Sequence, residues 1–265
     1  MAILPDASML REPIDCVPLG QSGFRFALGS TVLYVDPYLS DSVEKAEGPE
    51  LARQVPIWKA PDQVGDADWV LITHGHMDHC DLDTLVPLSR ASGECRFLGP
   101  RVVTDVLVEA GIDPARIVVA GGDWIALADE LRVHAVLAAH PDIDLDQNGD
   151  SNCIGYCIEY RGRRVYHSGD TQLCSPVLQA AMAFKPIEVA MIPVNERNYY
   201  RESRGIIGNM SVRDAFQSAL DLEVDTFVPV HWDMFELNSV HPEEIEAHFL
   251  RTQPGFQLLL RPRQL

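Results

Sequence analysis

One short run constrains this chain more than any other feature: THGHMDHCD, residues 73–81. The apolar segment 69–72 leads straight into it, so its polar groups leave a strand together at one edge of a sheet. His74, His76, Asp78 and His79 then fall within six residues around Gly75, and three of the chain's nine histidines are spent there. Neutral imidazole nitrogens and a carboxylate are the donors that suit zinc, iron or manganese. Spaced this way, one short loop could offer two imidazoles to one ion, and a carboxylate plus imidazole to a neighbour.

Short apolar runs alternate with helical patterns along the rest of the 265 residues. Strands are expected at 24–28, 32–35, 69–72, 96–98, 117–119, 131–137, 154–160, 165–167, 189–194, 226–230 and 256–260. Pro100 is expected to open a helix with a buried stripe of Val102, Val103, Val106, Leu107 and Ala110, closed at Gly111. Ser211 and Asp214 form a capping box for a second helix, striped by Val212, Ala215, Phe216, Ala219 and Leu220. A third helix begins at Pro242, with Glu243 and Glu244 in its first turn. Strands interleaved with a few helices imply a layered α/β or α+β architecture. No linker-like stretch interrupts the chain, so 1–265 reads as one domain.

HGHMDH resembles the H-x-H-x-D-H signature of the metallo-β-lactamase superfamily. That resemblance implies a four-layer αββα sandwich and three later ligands, each at a strand end. The matching positions are His140 after 131–139, Asp170 in HSGDT and His231 in VPVHWD; Asp36 in LYVDP matches an early supporting motif. On this reading His74, His76 and His140 hold one divalent ion, Asp78, His79 and His231 hold another, and Asp170 bridges them. Asp36, Asp81 and Asp233 are expected to accept from the histidines' remaining nitrogens. Two such ions supply hydroxide near neutral pH, suiting hydrolysis of an ester, lactone, thioester, amide or phosphodiester, with Asp78 or Asp233 passing the proton. Manganese or zinc is expected, with iron an alternative.

FLGPRVVTDVL, RVYHSGDT, RGIIGNMSVRDAF and VPVHWDMFELNSVHPEEI also look like the L-ascorbate-6-phosphate lactonase branch. The implied substrate is a small anionic lactone or ester such as a sugar-acid phosphate. The alternatives are a phosphodiesterase on the same fold and a metal-binding protein without turnover. Residues 195–213 hold Arg197, Arg201, Arg204 and Arg213 around Tyr199 and Tyr200, the densest run of guanidinium groups in the chain. Arg204, Asn209 and Tyr199 are therefore the expected substrate-binding residues. A homo-oligomer is implied by the resemblance alone.

Net charge is -18, which repels nucleic acid and anionic membrane surfaces at long range. No apolar run approaches the roughly 20 residues of a membrane helix. The N-terminus MAILPDASMLREPID lacks the pattern of an export signal, and the six cysteines form no CxxC pair. A cytoplasmic, small-molecule enzyme is the expectation.

Overall fold

The computed structural model describes residues 12–265; most of the N-terminal segment read for an export signal lies outside them. Six strands form the first sheet, in spatial order β1 to β6: β1 (Asp15–Gly20), β2 (Gly23–Leu28), β3 (Thr31–Val35), β4 (Trp69–Leu71), β5 (Arg96–Gly99) and β6 (Ile117–Val119). The second sheet holds β7 (Ile125–Ala128), β8 (Leu131–Leu137), β9 (Ile154–Tyr160), β10 (Arg163–His167), β11 (Val189–Pro193), β12 (Thr226–Val230) and β13 (Gln257–Leu258), ordered from β13 back to β7.

Successive side chains of a strand point to opposite faces, and the core divides accordingly. Leu33, Leu71 and Leu98 meet Val133, Tyr156, Met191 and Val228 between the sheets. Their neighbours Tyr34, Val70 and Phe97 face outward onto Leu85 and Leu88 of α2 (Leu82–Ala91) and Val103 and Leu107 of α3 (Arg101–Glu109). On the far side, Ala190, Ile192 and Phe227 pack against Ala181 of α4 (Ser175–Met182), Ala215, Phe216 and Ala219 of α6 (Val212–Leu222), and Ile245 of α7 (Pro242–Thr252). The layers run helix, sheet, sheet, helix, as expected. Two shorter helices, α1 (Ser42–Glu47) and α5 (Tyr199–Glu202), lie in the connections. Among the described residues no helix is long and apolar enough to cross a membrane.

The Ser211–Asp214 capping box forms on both sides, and Gly111 turns left-handed (φ 86°) after α3. Two stripe positions differ from expectation. Val102 and Leu220 are exposed, because the buried arcs of α3 and α6 run through Thr104 and Leu222 instead. Strands β1 and β7, both at sheet edges, were not anticipated. Pro18 interrupts the apolar pattern of the first, a residue that edge strands tolerate.

Strand direction positions the site. β3 and β4 are parallel, and β10, β11 and β12 are parallel to one another. β8 runs antiparallel to β9, which runs antiparallel to β10, so β8 shares the direction of β10. Asp36, the 73–81 turn, His140, Asp170 and His231 all follow the C-terminal ends of these strands, at one edge of the sandwich. Ile154 N–H donates to Thr73 O at 3.0 Å, and the Tyr156 hydroxyl donates to Ile72 O at 2.8 Å. These bonds tie the sheets together beneath that edge.

Candidate metal centre

The seven residues expected to act as ligands converge. His74 Nε2, His76 Nδ1 and His140 Nε2 form one group, with contacts of 3.0 Å and 3.2 Å to the His76 nitrogen. Asp78, His79 and His231 form a second, with Asp78 Oδ2 3.7 Å from His79 Nε2 and 3.5 Å from His231 Nε2. Asp170 lies between them: Oδ1 is 3.5 Å from His79 Nε2, while Oδ2 is 3.0 Å from His231 Nε2 and 3.7 Å from His140 Nε2. Its place depends on Gly169 (φ 61°), where a Cβ would stand 2.6 Å from Ile154 O.

Whether these groups fit divalent ions is answered by what they leave open. His79 Nε2 and Asp170 Oδ1 are buried without a hydrogen-bond partner. Buried polar atoms are rarely left so, and each such case calls for an explanation. Both atoms face the shared interior of the donor groups, where cations would satisfy them. Charge agrees. Burial works against the ionised Asp170 carboxylate, yet the His231 and His79 imidazoles hold its pKa well below the usual range. Asp78 is likewise lowered, against burial, by His79 and His231. Burial opposes protonation of His231, but Asp170 and Asp78 push it up to about 9, so a cation bound there would displace that proton. Burial lowers His140 to about 4, leaving the neutral imidazole that a metal binds.

Support for the donors is narrower than expected. Asp36 Oδ2 lies 2.8 Å from His79 Nδ1 and accepts from Thr73 Oγ1 at 2.7 Å; its Oδ1 accepts from Thr73 N–H. Thr73 Oγ1 is also 3.0 Å from His74 Nδ1. Asp81 does not touch a ligand histidine. Its carboxylate is consumed in capping α2 and accepting from Ser40 and Thr84. Asp233 does not reach one either; it accepts from the Gln21 N–H at 3.1 Å and faces Arg261 at 3.4 Å. Burial pushes its pKa up, against those two partners.

The donor groups floor a cleft of about 170 Å³, lined by His76, Asp78, His140, Asp170 and His231. Its walls are Val43 and Leu51, Met77, Ile206, Ile207 and Phe235, with Glu47 and Asn238 at the polar positions. Among the described residues no lysine or arginine lines it. Arg204 stacks 3.8 Å over the Tyr200 ring and donates to Tyr200 O. Tyr199 is 85% exposed and Asn209 is buried, donating to Asn195 Oδ1, so none of the three expected substrate residues lines the cleft. The cleft-facing part of that segment is the apolar Gly205–Ile206–Ile207 between them. Asp233 does not line the cleft, whereas Asp78 does.

Sequence reasoning missed Gln21, whose Nε2 donates to Asp78 Oδ2 at 2.6 Å and lies 3.1 Å from His231 Nε2. A neutral residue in a hairpin turn gives no sign of this. Its backbone is left-handed (φ 56°), as are those of Asp36 and His231 (42°, 58°), but so are those of Glu130, Arg161, Glu223 and Gln253 away from the site.

Several known proteins resemble this chain. A UPF0173 metal-dependent hydrolase from Rubrobacter xylanophilus is 27% identical over 236 residues, covering 87% of this chain and 86% of its own. A protein of Salmonella paratyphi B named "Probable L-ascorbate-6-phosphate lactonase UlaG" is 27% identical over 209 residues, 74% of this chain but only 57% of its own length. The structure of Igni18, a metallo hydrolase from Ignicoccus hospitalis, superposes with a TM-score of 0.73 at 18% identity, covering 96% of this chain and 98% of that one. The model of the beta-lactamase superfamily domain matches residues 31–232, and the chain belongs to that superfamily.

Proposed function

We propose that this protein is a metal-dependent hydrolase that cleaves a small ester or lactone, using two divalent ions held by His74, His76, Asp78, His79, His140, Asp170 and His231. One observation carries the reading: seven donors from four separate chain segments meet at a cleft floor, with His79 Nε2 and Asp170 Oδ1 left open toward one another. Divalent ions in that position would supply a nucleophile at neutral pH by acidifying water, and would polarise the bond under attack.

The chain's own residues do the rest. Asp36 and Thr73 fix the orientation of His79 and His74 by engaging their Nδ1 atoms. Asp170 reaches both donor groups and is the residue suited to bridge them. Asp78 belongs to the second group and also lines the cleft, so its carboxylate is placed to hand a proton to the leaving group. Val43, Leu51, Met77, Ile206, Ile207 and Phe235 exclude water and select an apolar substituent. The resemblance to the lactonase branch implies an anionic, phosphate-bearing substrate, but these walls offer no cation to grip one. Five imidazoles with two carboxylates are compatible with manganese, zinc or iron.

The names carried by similar proteins, metal-dependent hydrolase and lactonase, point the same way. Chelator-stripped protein, assayed on lactones and esters with apolar or phosphorylated side groups, tests the reading. Loss of hydrolysis with EDTA and recovery with Mn²⁺ or Zn²⁺ is expected, with apolar substrates preferred. Activity that persists after thorough chelation would overturn the reading, as would turnover confined to bis-(p-nitrophenyl) phosphate.

A further inference from the structure

Gln21 stands in the hairpin turn between β1 and β2, on the opposite sheet from His231, yet it is almost fully buried. Three bonds hold the turn there. Gln21 N–H donates to Asp233 Oδ1 at 3.1 Å, Gln21 O accepts from His231 N–H at 2.8 Å, and the neighbouring Ser22 O accepts from His167 Nε2 at 2.7 Å. The backbone is thus pinned in a left-handed conformation that is costly for a residue with a side chain. That cost delivers a carboxamide to the second donor group. Its nitrogen sits within hydrogen-bond distance of both Asp78 Oδ2 and His231 Nε2, which are themselves 3.5 Å apart.

A cation held by Asp78 and His231 must approach the atoms that the carboxamide already contacts. A carboxamide nitrogen carries two hydrogens and repels a cation, whereas the oxygen on the same carbon is a hard donor suited to manganese, magnesium or iron. Half a turn about the terminal bond exchanges the two atoms without moving the pinned backbone. We propose that Gln21 is an eighth ligand, donating Oε1 to the ion bound by Asp78, His79 and His231. Asp233, which sequence reasoning placed in catalysis, then acts through Gln21 by holding its backbone. This inference rests on the two-ion reading above.

Titration calorimetry of Mn²⁺ into EDTA-treated protein separates the two ideas, because it counts ions and reads each affinity without any substrate. Gln21→Asn suits the test, since asparagine adopts left-handed φ more readily than glutamine but is one methylene too short to reach. The expected result is two ions in the wild type, with the weaker or second affinity falling about tenfold in Gln21→Asn and the other unchanged. Gln21→Glu, which keeps the reach and adds charge, is expected to bind that ion at least as tightly as wild type. A cooperative melt in EDTA confirms that each variant is folded. Two ions in the wild type with unchanged affinities in Gln21→Asn would overturn the assignment of Gln21 alone, as would tenfold weakening in Gln21→Glu. A wild type that binds no ion would overturn both readings.

Discussion

Two segments of this chain are dense in polar side chains, and only one of them is built as a site. Around the 73–81 turn, imidazoles and carboxylates from separate strand ends point at one another, and among the described residues four of their buried atoms, His79 Nε2, His140 Nδ1, Asp170 Oδ1 and His231 Nδ1, find no hydrogen-bond partner. Across 195–213 three of the four guanidinium groups bond within the protein, with Arg201 Nε left over. Arg197 pairs with Glu202 at 2.6 Å; Arg201 is buried, donating to Glu196 O and Ser239 O at 2.8 Å each; Arg204 caps Tyr200. Density of charge is the same signal in both, and it does not discriminate. What does is convergence: Arg201 Nε and Asn209 Oδ1 in the second segment are also buried without a partner, but among the described residues metal-type donors gather within 4.8 Å of one another only around the first.

The largest effect that can break this contrast is at Asp170. Asp170→Asn keeps the shape but removes the charge and one acceptor oxygen between the two donor groups. Loss of roughly 10³-fold in kcat/KM is expected, together with loss of one bound ion by metal analysis. A variant with wild-type activity and two ions would mean that the open atoms at this edge have no functional meaning. Asp36→Ala probes the layer behind. It strands the His79 Nδ1 and the Thr73 N–H and hydroxyl, all buried. About 10–100-fold weaker metal binding is expected, with about 1–3 kcal/mol lost from stability in EDTA denaturation curves. Weakened binding without lost stability would place Asp36 closer to the ions than its present partners do.

How much of this was legible depends on what each residue's neighbours do to it. Central strands announced themselves as continuous apolar runs because both their faces are buried; the edge strands β1 and β7 did not, being half-wet and, in β1, broken by Pro18. Helix α2 was hidden because Asp81, its cap, reads as part of the histidine cluster, and because Pro87 lies inside it. The order and strand-end placement of His140, Asp170 and His231 could be read. Yet His167, also at a strand end, has the same local signature and is a structural residue, bonded to Ser22 O and to the Gly169 N–H. Only the fold distinguishes them. Gln21 and the apolar cleft walls gave no signal at all, since a neutral amide in a turn and an isoleucine pair beside arginines carry no chemistry until tertiary contacts place them.

The smallest predicted effect sharpens the contrast most, because it concerns the residue that sequence reasoning favoured for substrate. Arg204 is exposed, and its ring contact with Tyr200 is worth on the order of 0.5–1 kcal/mol at such a site. Arg204→Ala should therefore leave kcat/KM for apolar lactones within about twofold of wild type and lower stability by no more than about 1 kcal/mol. Steady-state kinetics on matched neutral and phosphorylated substrates is the decisive measurement. A KM that rises tenfold or more for the phosphorylated member alone would show that Arg204 leaves Tyr200 and turns into the cleft when an anion arrives. The second region would then be a site whose capacity is masked rather than spent, and convergence of donors would no longer suffice to tell the two apart.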